Sequence, residues 1–119
     1  MTLLEIGDRG EKIARDILES IGFRFEWKIL KEEGRGKPSY DLLAHRLGQK
    51  YAINVKHGTR FVIDPCNALR LYKTAKKYGY KPAFMLVINS NRYFFYSLDS
   101  QVPERIDKKN ERIEQWVSI

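Results

Sequence analysis

Asp41-Leu42-Leu43-Ala44-His45-Arg46-Leu47-Gly48-Gln49-Lys50-Tyr51-Ala52-Ile53-Asn54-Val55-Lys56 contains two runs of strand composition around a glycine. The spacing predicts one strand from about Ser39 to Leu47, a two-residue turn at Gly48-Gln49, and a second strand from Lys50 to Lys56. Glycine at the first turn position suits a type II′ hairpin. In that register Leu47 faces Lys50, Asp41 falls opposite Lys56 and Leu43 falls opposite Asn54. Side chains alternate across a strand. One face then carries Leu42, Ala44, Tyr51, Ile53 and Val55, a core face. The other carries Asp41, Leu43, His45, Ala52, Asn54 and Lys56.

On the N-terminal side, Thr2 and Glu5 fit a capping box. Ile6, Gly10, Ile13, Ala14, Ile17, Leu18 and Ile21 recur at helical spacing up to Gly22, which predicts a helix over 3–21. Phe23 to Ile29 alternates apolar with charged and predicts a strand with one wet face. Lys31 to Pro38 is a polar loop with two glycines. On the C-terminal side, Asp64-Pro65 opens a second helix that Gly79 ends, with Ala68, Leu69, Leu71, Tyr72 and Ala75 as its apolar stripe. The apolar run Pro82 to Asn89 predicts a central strand, and Arg92 to Leu98 another. A helical spacing of Ile106, Ile113 and Trp116 or Val117 in the tail predicts a last helix. The order is α-β-β-β-α-β-β-α, an α/β chain in one domain spanning residues 1–119.

The chain carries 22 Lys and Arg against 15 Asp and Glu, a net charge of +7. Residues 41–80 hold two acids, Asp41 and Asp64, against eight bases, so nearly all the excess lies in the middle third. A local basic region points to a polyanion, nucleic acid above all, or to a solvated lysine-rich helix face. No apolar run reaches the ~18 residues that span a bilayer, and the first dozen residues are too charged for a secretory signal. A soluble, cytoplasmic chain without a membrane partner is expected. The single cysteine, Cys66, rules out an intrachain disulfide and a multi-cysteine zinc site.

Asp41, Asn54 and Lys56 on one hairpin face form a patch with chemical meaning. Cross-strand neighbours lie about 5 Å apart. Phosphodiester hydrolysis needs a hard cation to polarise the phosphate and acidify a bound water. Magnesium takes oxygen ligands, one or two of them carboxylates. A lysine nearby can orient the water and offset transition-state charge. A structural cross-strand pair of Asp41 with Lys56 is the alternative. His45 and His57 have no zinc-ligand spacing around them. His45 reads as a strand-surface residue, and His57 as a phosphate contact. Ser39 and Thr59 lack a triad context, and Cys66 reads as a packing residue.

Asp41 followed after twelve residues by Asn54-Val55-Lys56 resembles the D…(D/E)-x-K signature of the PD-(D/E)xK, or restriction-endonuclease-like, nuclease superfamily. The basic helix with Asn67, Arg70 and Tyr72, then Gly79-Tyr80-Lys81-Pro82 and an apolar strand, is similar to its archaeal Holliday junction resolvase branch. The resemblance covers about residues 4–98. It departs at Tyr40, where the family has proline, and at Asn54, where it has a second acid. It implies an α-β-β-β-α-β core, a central mixed sheet flanked by helices, and a further carboxylate at Glu11.

The expectation is a magnesium-dependent DNA endonuclease, structure-selective or restriction-like, with manganese a possible substitute. Glu11, Asp41, Asn54 and Lys56 are the catalytic candidates. Glu11, Asp41, the Asn54 amide and the Val55 carbonyl would hold the metal. Arg35, Lys37, His57, Arg60, Arg70, Lys73, Lys76 and Lys77 would contact duplex or branched DNA. A homodimer is expected, with the Tyr93–Tyr96 strand or Trp116 as apolar contact. The alternative is a nuclease-fold DNA-binding domain that has lost catalysis through Asn54.

Overall fold

The computed structural model describes residues 3–32, 37–58, 65–89 and 92–97. The order is α1 (Leu3–Ser20), β1 (Arg24–Glu26), β2 (Leu42–Arg46), β3 (Gln49–His57), α2 (Pro65–Tyr78), β4 (Lys81–Asn89) and β5 (Arg92–Ser97). The α-β-β-β-α-β core expected from the sequence is present, and β5 extends it. The tail helix, the Thr2 cap, Arg35 and Arg60 lie outside the described residues.

Among the described residues the five strands form one sheet in chain order. Only β3 and β4 run parallel, joined through α2; the other pairs are antiparallel. Helices cover both faces. Ala14, Ile17 and Leu18 of α1 pack with Phe23, Leu42, Ala44, Ile53, Met85 and Val87 on one side. Ala68, Leu71 and Ala75 of α2 pack with Leu43, Ala52, Tyr80, Phe84 and Leu86 on the other. Strand β4 is therefore buried on both sides from Pro82 to Val87, as its unbroken apolar run requires. The hairpin face expected to display the polar patch is itself core at Leu43 and Ala52; only its end is free for chemistry.

Both helices stop in the same way. At Gly22 (φ 98°) the Phe23 N–H donates to the Leu18 carbonyl and the Gly22 N–H to Glu19; at Gly79 (φ 79°) the Tyr80 N–H donates to Ala75 and the Gly79 N–H to Lys76. These are Schellman motifs, and the following Phe23 and Tyr80 are buried beside each helix's last turn.

The hairpin corrects the expected register. Leu42 pairs with Ile53, Leu43 with Ala52, and Arg46 with Gln49, so the turn is Leu47-Gly48. Both have positive φ, 52° and 78°, which makes it type I′, not II′. The slip is two residues, so every side chain keeps its face. Leu43 now faces Ala52, and the next step of the register sets Asp41 against Asn54 instead of Lys56. Leucine in the left-handed region is strained by roughly 1–2 kcal/mol, and Leu47 is 94% exposed, so no packing offsets it. Leu47→Asn should stabilise the fold by about 1 kcal/mol, read as a rise in denaturant midpoint at constant slope. An unchanged midpoint would contradict this turn.

Helix α1 crosses the end of β3 at Gly10. A methyl group there would lie 2.5 Å from His57 Cβ and 2.9 Å from Cγ. Alanine normally gains about 1 kcal/mol over glycine inside a helix, but overpacking against a strand costs roughly 1–3 kcal/mol. Gly10→Ala should therefore lower the melting temperature. The penalty should persist in a His57→Ala background, because the closest atom is the Cβ that alanine retains. A melting temperature that rises would show the crossing to be looser.

Candidate active site

The site forms where α1 passes the start of β2 and the second half of β3. Glu11 lies one residue after the close approach of Gly10 to His57, where α1 passes the end of β3. Asp41 sits in a bend just before β2, outside the strand's alternation. Its N–H donates to the Ile53 carbonyl at 2.7 Å, and its Oδ2 accepts the Val55 N–H at 2.6 Å. Glu11 is hydrogen-bonded to the same carboxyl group. The bend thus turns Asp41 toward α1 and makes a carboxylate pair from residues far apart in the chain.

Asn54 stands next to that contact. Its Nδ2 donates to the Ser39 carbonyl at 2.7 Å, which fixes the amide orientation. Its Oδ1 is buried without a hydrogen-bond partner among the described residues. A buried acceptor left unmatched costs free energy, which a ligand to that oxygen would recover.

Desolvation by the surrounding chain pushes the Asp41 carboxyl above the ordinary aspartate range. The Val55 N–H, the charge of Lys56, the Glu11 hydrogen bond and the charge of Lys37 pull the other way. One flank of Asp41 remains in solvent, but the carboxyl end faces the protein. Folded Asp41 thus holds its proton more tightly than unfolded Asp41. Its contribution to stability is fully present below the ordinary aspartate value of the unfolded chain, declines as pH rises above that value, and is lost once pH has passed through the raised folded value. Asp41→Asn should raise the metal-free melting temperature at neutral pH, and the gap should close toward acid. A gap independent of pH would contradict this.

Two carboxylates this close repel when both are ionised, and a shared proton or a cation relieves them. Carboxylate and amide oxygens from Glu11, Asp41 and Asn54 are the donor type that a hard divalent cation such as magnesium takes. Among the described residues, no three His, Cys, Asp or Glu side chains cluster as metal ligands. The set is two acids and an amide, as Asn54 implies.

The basic residues separate into groups. The charges of Lys37 and Lys56 reach Asp41. The His57 side chain lies against Gly10. Lys73, Lys76 and Lys77 are exposed on α2, which covers the other sheet face from α1, so they are not gathered at the carboxylate pair. Arg70 pairs with buried Glu32 at 2.9 Å, and Glu32 also accepts from the Ser39 N–H and hydroxyl. Glu32 therefore ties the segment before Asp41 to α2. Nothing in the residue spacing marks it, because its partners lie 7 and 38 positions away in the chain. Trp27 was also expected within a strand; β1 ends at Glu26, and Trp27 is 77% exposed.

Among solved structures, the chain is similar to Hjc, a Holliday junction resolvase from the archaeal hyperthermophile Archaeoglobus fulgidus. The TM-score is 0.64 at 18% identity, over 87% of this chain and 89% of that one. The two share a restriction-endonuclease-like fold. No protein-family model and no curated protein matches the chain.

Proposed function

We propose, from the fold shared with a Holliday junction resolvase, that the chain is a magnesium-dependent DNA endonuclease, with manganese able to substitute. The observation that carries this is the hydrogen-bonded pair of Glu11 and Asp41 within reach of the Lys56 charge. Glu11, Asp41 and Asn54 Oδ1 would hold the cation, with the Val55 carbonyl as a further donor. The cation would polarise the scissile phosphate and acidify a water. The protein's own part is positional. The Val55 N–H fixes Asp41, the Ser39 carbonyl fixes the Asn54 amide, and Glu32 anchors the segment that carries Ser39 and Asp41. Lys56 would orient the attacking water and offset charge on the phosphoryl oxygens.

Exposed Lys37, Lys73, Lys76 and Lys77 support contacts to the phosphate backbone, with Arg35 and Arg60 adding charge in the sequence. Binding through them would weaken steeply with salt. Cutting both strands calls for two sites, so the working form is proposed to be a homodimer. A second reading, a DNA-binding domain without catalysis, is favoured by the neutral Asn54. A cleavage assay on single-stranded, duplex and branched DNA, with magnesium, manganese or chelator, separates the two. Metal-dependent nicking supports the nuclease. Salt-sensitive binding without cleavage under either metal supports the second reading.

A further inference from the structure

We propose that Trp27 and Arg15 form a stacking subsite for an unpaired nucleobase beside the carboxylate pair. This rests on the DNA reading above and names the class of DNA: a strand with unpaired nucleotides, as in a gap, a flap or a branch point.

Trp27 is 77% exposed and Ile29 87%, an unusual outlay of apolar surface beside a polar site. Trp27 follows the last residue of β1, so it leaves the sheet edge instead of entering the core. It is not loose in solvent. The Arg15 guanidinium lies 4.6 Å from its ring centroid and 5.8 Å from that of Phe25. That contact fixes the indole on one side and leaves it open elsewhere. Arg15 Nε is buried without a hydrogen-bond partner among the described residues. Arg15 also lies one helical turn after Glu11, so the two share a face of α1. Arg15, Trp27, Ile29, Tyr40 and Asp41 line one cleft of about 210 Å³. The exposed Trp27 and Asp41 thus border the same space.

The chemistry favours a nucleobase. An aromatic ring stacks any base, and an arginine beside it meets the phosphate of the stacked nucleotide. Bases within a duplex have both faces covered, so only an unpaired one is available. A second copy of the chain is a weaker occupant. The adjoining edge strand β1 has three residues, too few for a useful ladder, and exposed Arg24 and the Lys28–Glu26 ion pair make that edge charged, not apolar.

The chain has two tryptophans, so Trp116→Phe leaves Trp27 as the sole indole emitter. That variant is titrated in chelator with oligothymidylate and with blunt duplex. The expected result is saturable quenching by the single strand and none by the duplex. In parallel, Trp27→Ala should weaken oligothymidylate binding, followed by anisotropy of the labelled strand, by roughly 5- to 100-fold. Duplex affinity should hold, and Trp27→Phe should recover most of the loss. Single-strand binding without quenching, or with unchanged affinity in Trp27→Ala, would overturn the subsite while leaving the DNA reading intact. Binding of neither DNA form at low salt would overturn the DNA reading itself. An emission shift that grows with protein concentration in the absence of DNA would assign Trp27 to self-association and overturn the subsite.

Discussion

Asp41→Ala should abolish metal-dependent cleavage, with a loss above about 100-fold, while DNA binding survives. Groups that only orient metal ligands already cost about 10–100-fold when removed. Asp41 would be a ligand itself, and its loss also strips the Val55 N–H and Glu11 of their common partner. Binding should persist because the exposed lysines are untouched. Lys56→Ala should lose cleavage comparably but keep metal affinity, since lysine offers no acceptor to a cation. Gel assays of cleavage beside anisotropy of binding separate the two effects. Cleavage unchanged in Asp41→Ala would place the chemistry elsewhere.

The second large effect concerns Asn54. Its amide donates to the Ser39 carbonyl and leaves Oδ1 buried and unmatched. Asn54→Asp removes that donor and sets a carboxylate oxygen against a carbonyl, beside two existing acids. Without metal the variant should lose about 1–3 kcal/mol of stability. With magnesium it should recover, because a third negative charge tightens cation binding and ligand binding stabilises the folded state. The expected signature is a melting temperature below wild type in chelator, and a rise on adding magnesium larger than in wild type. Equal melting temperatures in chelator would mean that the Ser39 contact carries no weight.

Helices α1 and α2 and the order of the described elements along the chain were legible because apolar spacing and the terminal glycines Gly22 and Gly79 agree with the packed structure. The hairpin register was not, because a type I′ turn places Leu47 at positive φ and leucine carries no such signal. The error cost little, since a slip of two preserves faces. It did exchange Lys56 for Asn54 opposite Asp41. The nearness of Glu11 to Asp41 followed from the family resemblance. The bend that joins them was invisible, because alternation alone puts Asp41 on the face of Leu43. Burial of that face under α2 was missed for a related reason: Leu43 and Ala52 are interleaved with polar residues. Trp27 was misplaced by extending the alternation of Phe23 and Phe25 past the end of β1. The Glu32–Arg70 pair joins a loop to a helix by tertiary packing alone, which no local pattern encodes.

The most direct test of the carboxylate pair as a cation site is a calorimetric titration of manganese into the metal-free protein, with Glu11→Gln and Asp41→Asn beside it. Both replacements keep shape and hydrogen bonding but remove one charge. The expected result is one saturable site per chain in wild type, proton release that grows as pH falls into the Asp41 titration range, and loss of the site in each variant. Binding in both variants equal to wild type would contradict it.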